Sequence, residues 1–176
     1  ANPKDESYFK EVKSLKLRHA RIASFGSTRR ANTRVEDDKN IKALLMAETP
    51  VVTIVGKSWD FQVKNVLKVP LDENLKMVSD TIAYLRAKDR EVFFDAEHFF
   101  DGYKKNREYA LKVVQEAQLS GAEAIVLCDT NGGSLPAEIA EIVGDVRENI
   151  QGMLSIHVHN DGDLAVANTL AAVNRG

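Results

Sequence analysis

The sequence predicts an α/β chain of about five parallel strands with flanking helices. Short apolar, β-rich segments recur at 21–25, 51–55, 91–94, 124–127 and 153–156, and the stretches between them switch to helical spacing. Strands that follow one another at about 30 to 40 residues leave room for a crossover, which a helix makes compactly, so the pairing is expected to be parallel. A closed eight-stranded βα barrel takes about 250 residues, whereas this chain has 176. The expectation is an incomplete (β/α)8 TIM barrel, a single partial domain over 1–176.

Before the first strand, a helix is expected at 5–15, and another at 36–47 between the first two strands. Leu75, Val78, Ile82 and Leu85 then form one helical stripe, and Ala110, Val113, Val114 and Ala117 form the next. After the fourth strand Ser134 is a candidate N-cap and Pro136 suits a first helical turn, with Ile139, Ile142, Val143 and Val146 turned inward. A last helix is expected at 163–173. No Pro-, Gly- or Ser-rich linker divides the chain. It begins Ala1-Asn2-Pro3 without an initiator Met and stops at Asn174-Arg175-Gly176 directly after a helix, so an internal piece of a longer protein is expected.

Composition excludes several classes. With 44% hydrophobic and 28% charged residues, the chain can bury a core and is not globally disordered. A formal charge of −2 with interspersed signs supplies no broad basic face, so nucleic acid is not an expected partner. No apolar run approaches the roughly 20 residues of a membrane span, and no signal peptide is recognised. The single cysteine, Cys128, has no internal disulfide partner and fits a reducing, cytoplasmic compartment.

Polar chemistry collects just after each strand: Gly26-Ser27-Thr28, Lys57-Ser58, Asp95 with Glu97 and His98, Asp129-Thr130-Asn131, and His157 with His159-Asn160-Asp161. In a parallel sheet all carboxyl ends face one way, so these groups converge on one rim, where α/β proteins place ligands. His157 and His159, two apart on a strand, point to one face about 6 to 7 Å apart and can share one ion. The alternative is a pair that hydrogen-bonds locally, and two imidazoles alone do not complete a coordination sphere. Glu97 and Asp95 can serve as base or substrate-orienting groups, with pKa values raised by shielding, or stand as solvated carboxylates. His98 can share that role or cap the next helix.

The Asp129-Thr130-Asn131-Gly132-Gly133 turn offers a hydroxyl and backbone N–H groups to an anion, or is a plain glycine turn. Lys57 is expected to be solvated, the alternative being a Schiff-base lysine in a dry pocket. Cys128, in apolar surroundings beside an acid, is assigned to packing.

Three segments carry a family resemblance: Phe94-Asp95-Ala96-Glu97-His98-Phe99-Phe100-Asp101-Gly102-Tyr103, Asp129-Thr130-Asn131-Gly132-Gly133 and His157-Val158-His159-Asn160-Asp161. In this order they resemble the acyl-CoA-condensing, metal-dependent TIM-barrel enzymes, which include 2-isopropylmalate, homocitrate and citramalate synthases and a related lyase. Phe25-Gly26-Ser27-Thr28-Arg29-Arg30 and Gly56-Lys57-Ser58-Trp59 are most similar to the citramalate synthase branch.

The resemblance implies an acyltransferase that joins acetyl-CoA to a small 2-oxo acid, pyruvate in that branch, to give citramalate for isoleucine biosynthesis. A divalent cation (Mg, Mn or Zn) would polarise the ketone, and the parent protein would be a homodimer. It implies His157 and His159 as metal ligands, Thr130 beside the 2-oxo acid carboxylate and Glu97 as a catalytic glutamate. The family's first-strand Arg-Asp pair, second-strand Glu and the segment after its eighth strand have no counterpart here. The chain therefore corresponds to the stretch from the helix after the second strand to the helix after the seventh, and alone is expected to be inactive. Other readings are 2-isopropylmalate or homocitrate synthase, a His-x-His hydrolase barrel, a Schiff-base aldolase and a noncatalytic metal-binding barrel.

Overall fold

In the computed structural model, residues 3–175 are described; Ala1, Asn2 and Gly176, which the reading of the chain as an internal piece cites, lie outside them. Five parallel strands run in the order β1-β2-β3-β4-β5. They are β1 (Ala23–Ser27), β2 (Val51–Lys57), β3 (Glu91–Glu97), β4 (Ala124–Asp129) and β5 (Met153–Val158). Neighbours in sequence are neighbours in space, as in a βα barrel wall, and β1 and β5 form the two edges of an unclosed sheet.

The helices are α1 (Pro3–Val12), α2 (Lys39–Met46), α3 (Asp60–Gln62), α4 (Leu71–Arg86), α5 (Phe99–Lys105), α6 (Arg107–Leu119), α7 (Pro136–Asn149) and α8 (Ala165–Val173). The helix expected at 36–47 divides in two because Asp38 interrupts it. Its carboxylate accepts from the N–H groups of Asn40 (2.8 Å) and Ile41 (3.2 Å), making it the N-cap of α2 after a 3-10 turn at Val35–Asp37. A feature that periodicity does not announce is α3, which continues into a π turn at Val63–Leu67 and stops at Lys68, in the left-handed region.

Ser134 is not the cap of α7; Leu135 holds that position. The Leu135 N–H donates to the Glu138 carboxylate at 2.7 Å, and buried Ser134 turns its N–H and hydroxyl onto Asp129, each at 3.2 Å.

The main core lies between sheet and helices. Val52, Ile54, Val92, Phe94, Ala96, Ile125 and Leu127 alternate along the strands and pack with Val78, Ile82, Leu85, Val113, Val114, Ile139 and Val146 from the helices. The predicted helical stripes thus face the sheet. Burying a side chain of this size stabilises by about 1.5 to 3 kcal/mol. Gly56 has a packing reason, since a Cβ there would lie 2.6 Å from the Phe94 ring. The opposite face of the sheet is more open: Phe25 on β1 and Met153 on β5 are both exposed.

The strands continue two to three residues beyond the ends expected from hydrophobicity. Lys57, Asp95, Glu97, Asp129 and His157 therefore stand on strands and not after them. A polar residue ends an apolar run in sequence, but backbone pairing continues where that side chain points away from the core.

Candidate metal centre and active site

Alternation along β3 sends Val92, Phe94 and Ala96 to the helices, and Asp95 and Glu97 to the open face. Parallel register carries the same face across the sheet: Lys57 pairs with Glu97, Asp95 with Val126, and Cys128 with His157. Lys57, Asp95, Glu97, Cys128 and His157 thus share one face near the carboxyl ends of four adjacent strands.

At the β5 end, the His157 and His159 rings lie 5.2 Å apart in an edge-to-face arrangement, so the structure brings the two predicted imidazoles together. His157 Nδ1 is 4.0 Å from Asp95 Oδ2. One ligand atom each from Asp95, Cys128 and His157 lies within 4.8 Å of the others, the one such cluster found among the described residues. Burial pushes the Asp95 carboxyl up, partly opposed by His157. Burial, reinforced by Asp95 and Glu97, pushes the Cys128 thiol strongly up, which agrees with a packing role. Imidazole nitrogen and carboxylate oxygen fit a divalent cation of the first-row type, so His157 and Asp95 are suited to hold one.

Glu97 makes its polar contact on the other side. Its carboxylate is ion-paired with Lys57 Nζ, and the Glu97 carbonyl accepts from the Ser58 hydroxyl at 2.7 Å. Here the expectation for Lys57 is corrected: it is not a solvated lysine, its side chain being 23% exposed and committed to Glu97. Sequence reading missed it because pairing between strands forty residues apart depends on register. An ammonium held in an ion pair has no lone pair for a carbonyl, which also argues against the Schiff-base reading.

Thr130 Oγ1 accepts the His98 backbone N–H at 2.8 Å. With a lone pair so engaged, its own O–H stays free to donate outward, the polarity a carboxylate ligand requires. His98 adopts φ 56° at the start of α5, and its ring approaches Asp101 at 3.4 Å. Asp101 also accepts from Asn131 Nδ2 at 2.9 Å, so the β3 and β4 loops are tied together beside Thr130.

The glycine turn is less open to an anion than its sequence suggests. The Gly132 N–H donates to the Asp129 carbonyl, the Ser134 N–H to the Asp129 side chain and the Leu135 N–H to Glu138. Asp129 itself is buried and turned to the helix side, where it fastens this loop. Asn160 likewise is structural, accepting the Ala165 N–H at the start of α8.

Beside these groups lies a cavity of about 410 Å³. Lys57, Glu97 and Arg30 form its polar wall, and Val66, Leu67 and Met77 are among its apolar lining. Arg29 shapes it from below: this buried guanidinium binds Glu73 at 2.9 Å and Asp80 at 2.8 Å, clamping the loop after β1 onto α4.

The HMGL-like family model matches residues 16–176. The chain belongs to the HMGL-like family. Over its full length this HMGL-like chain is 53% identical to an (R)-citramalate synthase of Geobacter sulfurreducens and 52% identical to one of Aquifex aeolicus. It spans about a third of each, 33% and 34% respectively. A 2-isopropylmalate synthase of Caldanaerobacter subterraneus is 30% identical over 96% of the chain and is covered over 42% of its own length. Among solved structures, the hydroxymethylglutaryl-CoA lyase from Pseudomonas aeruginosa superposes on 99% of the chain with a TM-score of 0.77 at 16% identity, using 56% of that lyase. This similarity concerns the fold, five consecutive strands and helices of a TIM barrel.

Proposed function

We propose that the chain is part of the catalytic barrel of a synthase that condenses acetyl-CoA with pyruvate to give citramalate, with its five strands as strands three to seven of eight. The observation that carries this reading is the 53% identity, over the full chain, to an (R)-citramalate synthase. The 2-isopropylmalate and homocitrate synthases match at 30% and 32%, which favours pyruvate over larger 2-oxo acids.

His157 and His159 would hold a divalent cation, with Asp95 as a further oxygen donor on the same face. When bound, such a cation supplies Lewis-acid polarisation of a ketone and charge for a developing oxyanion. The Thr130 hydroxyl, its lone pair taken by His98, donates to the pyruvate carboxylate and fixes its orientation. Glu97 accepts a proton from the acetyl methyl, leaving an enolate whose carbon bonds to the pyruvate carbonyl carbon as that C=O opens to an alkoxide, which then takes up a proton. Water then cleaves the thioester, releasing the CoA thiol and leaving citramalate.

The full-length protein should release thiol from acetyl-CoA when pyruvate is present, lose that activity to a chelator, and regain it with added cation. A signal with another 2-oxo acid and none with pyruvate would reject the citramalate reading. Persistence under chelation would reject the cation.

A further inference from the structure

Asp95 and Glu97 lie two apart on β3 and face the same way, about 6 to 7 Å apart at their Cα atoms. A glutamate at that spacing can swing its longer side chain toward an ion held beside Asp95. Two such carboxylates would then compete for one ion, and neither would remain free for other work. The structure separates them. Asp95 faces β4 and β5, with Cys128 and His157. Glu97 is turned to β2, where Lys57 takes its carboxylate.

Both ends of this ion pair are anchored. Lys57 and Glu97 are register partners at the last residues of their strands. Fully buried Asn74 donates its Nδ2 to the Lys57 carbonyl at 2.9 Å, and fully buried Ser58 donates its hydroxyl and N–H to the Glu97 carbonyl at 2.7 and 3.3 Å. Behind them, a Cβ on Gly102 would meet the Ser58 carbonyl at 2.8 Å, so α5 rests directly on this junction. The two side chains are 23% and 27% exposed, which removes much of the screening that makes surface pairs ineffective.

We propose that Lys57 is a positioning residue that holds the Glu97 carboxylate on the β2 side of the mouth and out of reach of the cation. Asp95 is thereby left to the cation and Glu97 to the substrate. The inference rests on the synthase reading for the role of Glu97; the pair itself does not.

Two measurements on the full-length protein separate these levels. In amine acetylation followed by mass spectrometry, Lys57 should react about tenfold more slowly than exposed lysines such as Lys105, and Glu97→Gln should bring it toward their rate. Labelling of Lys57 at the rate of exposed lysines overturns the pair. In steady-state kinetics, Lys57→Met should lower kcat by about tenfold or more with KM for both substrates within about threefold, and Lys57→Arg should recover most of the loss.

Lys57→Met should also bind Mn2+ more tightly than wild type, since Glu97 is released toward the ion, an effect that simple loss of packing would not produce. Unchanged kcat together with unchanged Mn2+ affinity in Lys57→Met overturns the positioning role. A wild-type protein without pyruvate-dependent thiol release overturns the synthase reading, while labelling and Mn2+ binding still decide whether Lys57 restrains Glu97.

Discussion

Gly132→Ala is the substitution for which the structure gives the sharpest expectation. Gly132 lies in the loop after β4 with φ +60°, and a Cβ there would sit 3.0 Å from the Asp161 nitrogen and the His159 oxygen and 3.1 Å from the His159 carbonyl carbon. All three are backbone atoms, so no side chain can rotate away. Ordinary contact begins at 3.4 Å, so the segment carrying His159 must recede by about 0.4 Å, against a tolerance of about 0.2 Å for metal–ligand distances. The left-handed conformation adds about 1 kcal/mol for alanine relative to glycine.

The neighbouring Gly133 supplies the control, because a Cβ there meets nothing within 4 Å. Full-length Gly132→Ala should keep its circular dichroism spectrum, melt a few degrees lower and bind a divalent cation about 10- to 100-fold more weakly by calorimetry. Gly133→Ala should bind like wild type. Wild-type affinity in Gly132→Ala, or equal damage from Gly133→Ala, would refute the link between this loop and the histidine pair.

Replacing His157 or His159 by Ala in the full-length protein should abolish retention of the cation; stoichiometric metal in either purified variant would assign that ring to packing. Asp145 ties α5, α6 and α7 together through Tyr103 and Arg107, and the Arg107 guanidinium holds its carboxyl below the usual range. A depressed carboxyl contributes stability that is present above the unfolded value near 4 and lost as pH falls through the lower folded value. The melting-temperature gap between wild type and Asp145→Asn should therefore be open at pH 7 and narrow at pH 3; a gap constant with pH would refute the assignment. Cys128, buried and with its thiol pushed up, should react with a disulfide reagent at pH 8 far more slowly in the folded protein than after denaturation. Equal rates would contradict the packed sulfur.

Much of the fold was legible without coordinates. All five expected strands exist and pair in parallel, because apolar β-rich runs separated by helical stripes have few other ways to bury both patterns. The rim was legible for the same reason: parallel strands put every carboxyl end on one side, so residues as distant as Asp95 and His157 come within 4.0 Å. Strand ends are less legible, since polarity marks where the core stops and not where backbone pairing stops. The cap of α7 is not legible because Ser134 is engaged by a buried partner, Asp129, that a local motif cannot reveal.

The layer order, the face of the sheet that carries Glu97 and His157, and the family all follow from local alternation and short motifs. Partnership comes from three-dimensional packing: Lys57 with Glu97, Asp95 and Cys128 with His157, and Thr130 under the His98 N–H. Alternation assigns a side chain to a face with a period of two, but which residue stands opposite depends on the register between strands. That register is set by the packing of helices and loops dozens of residues away.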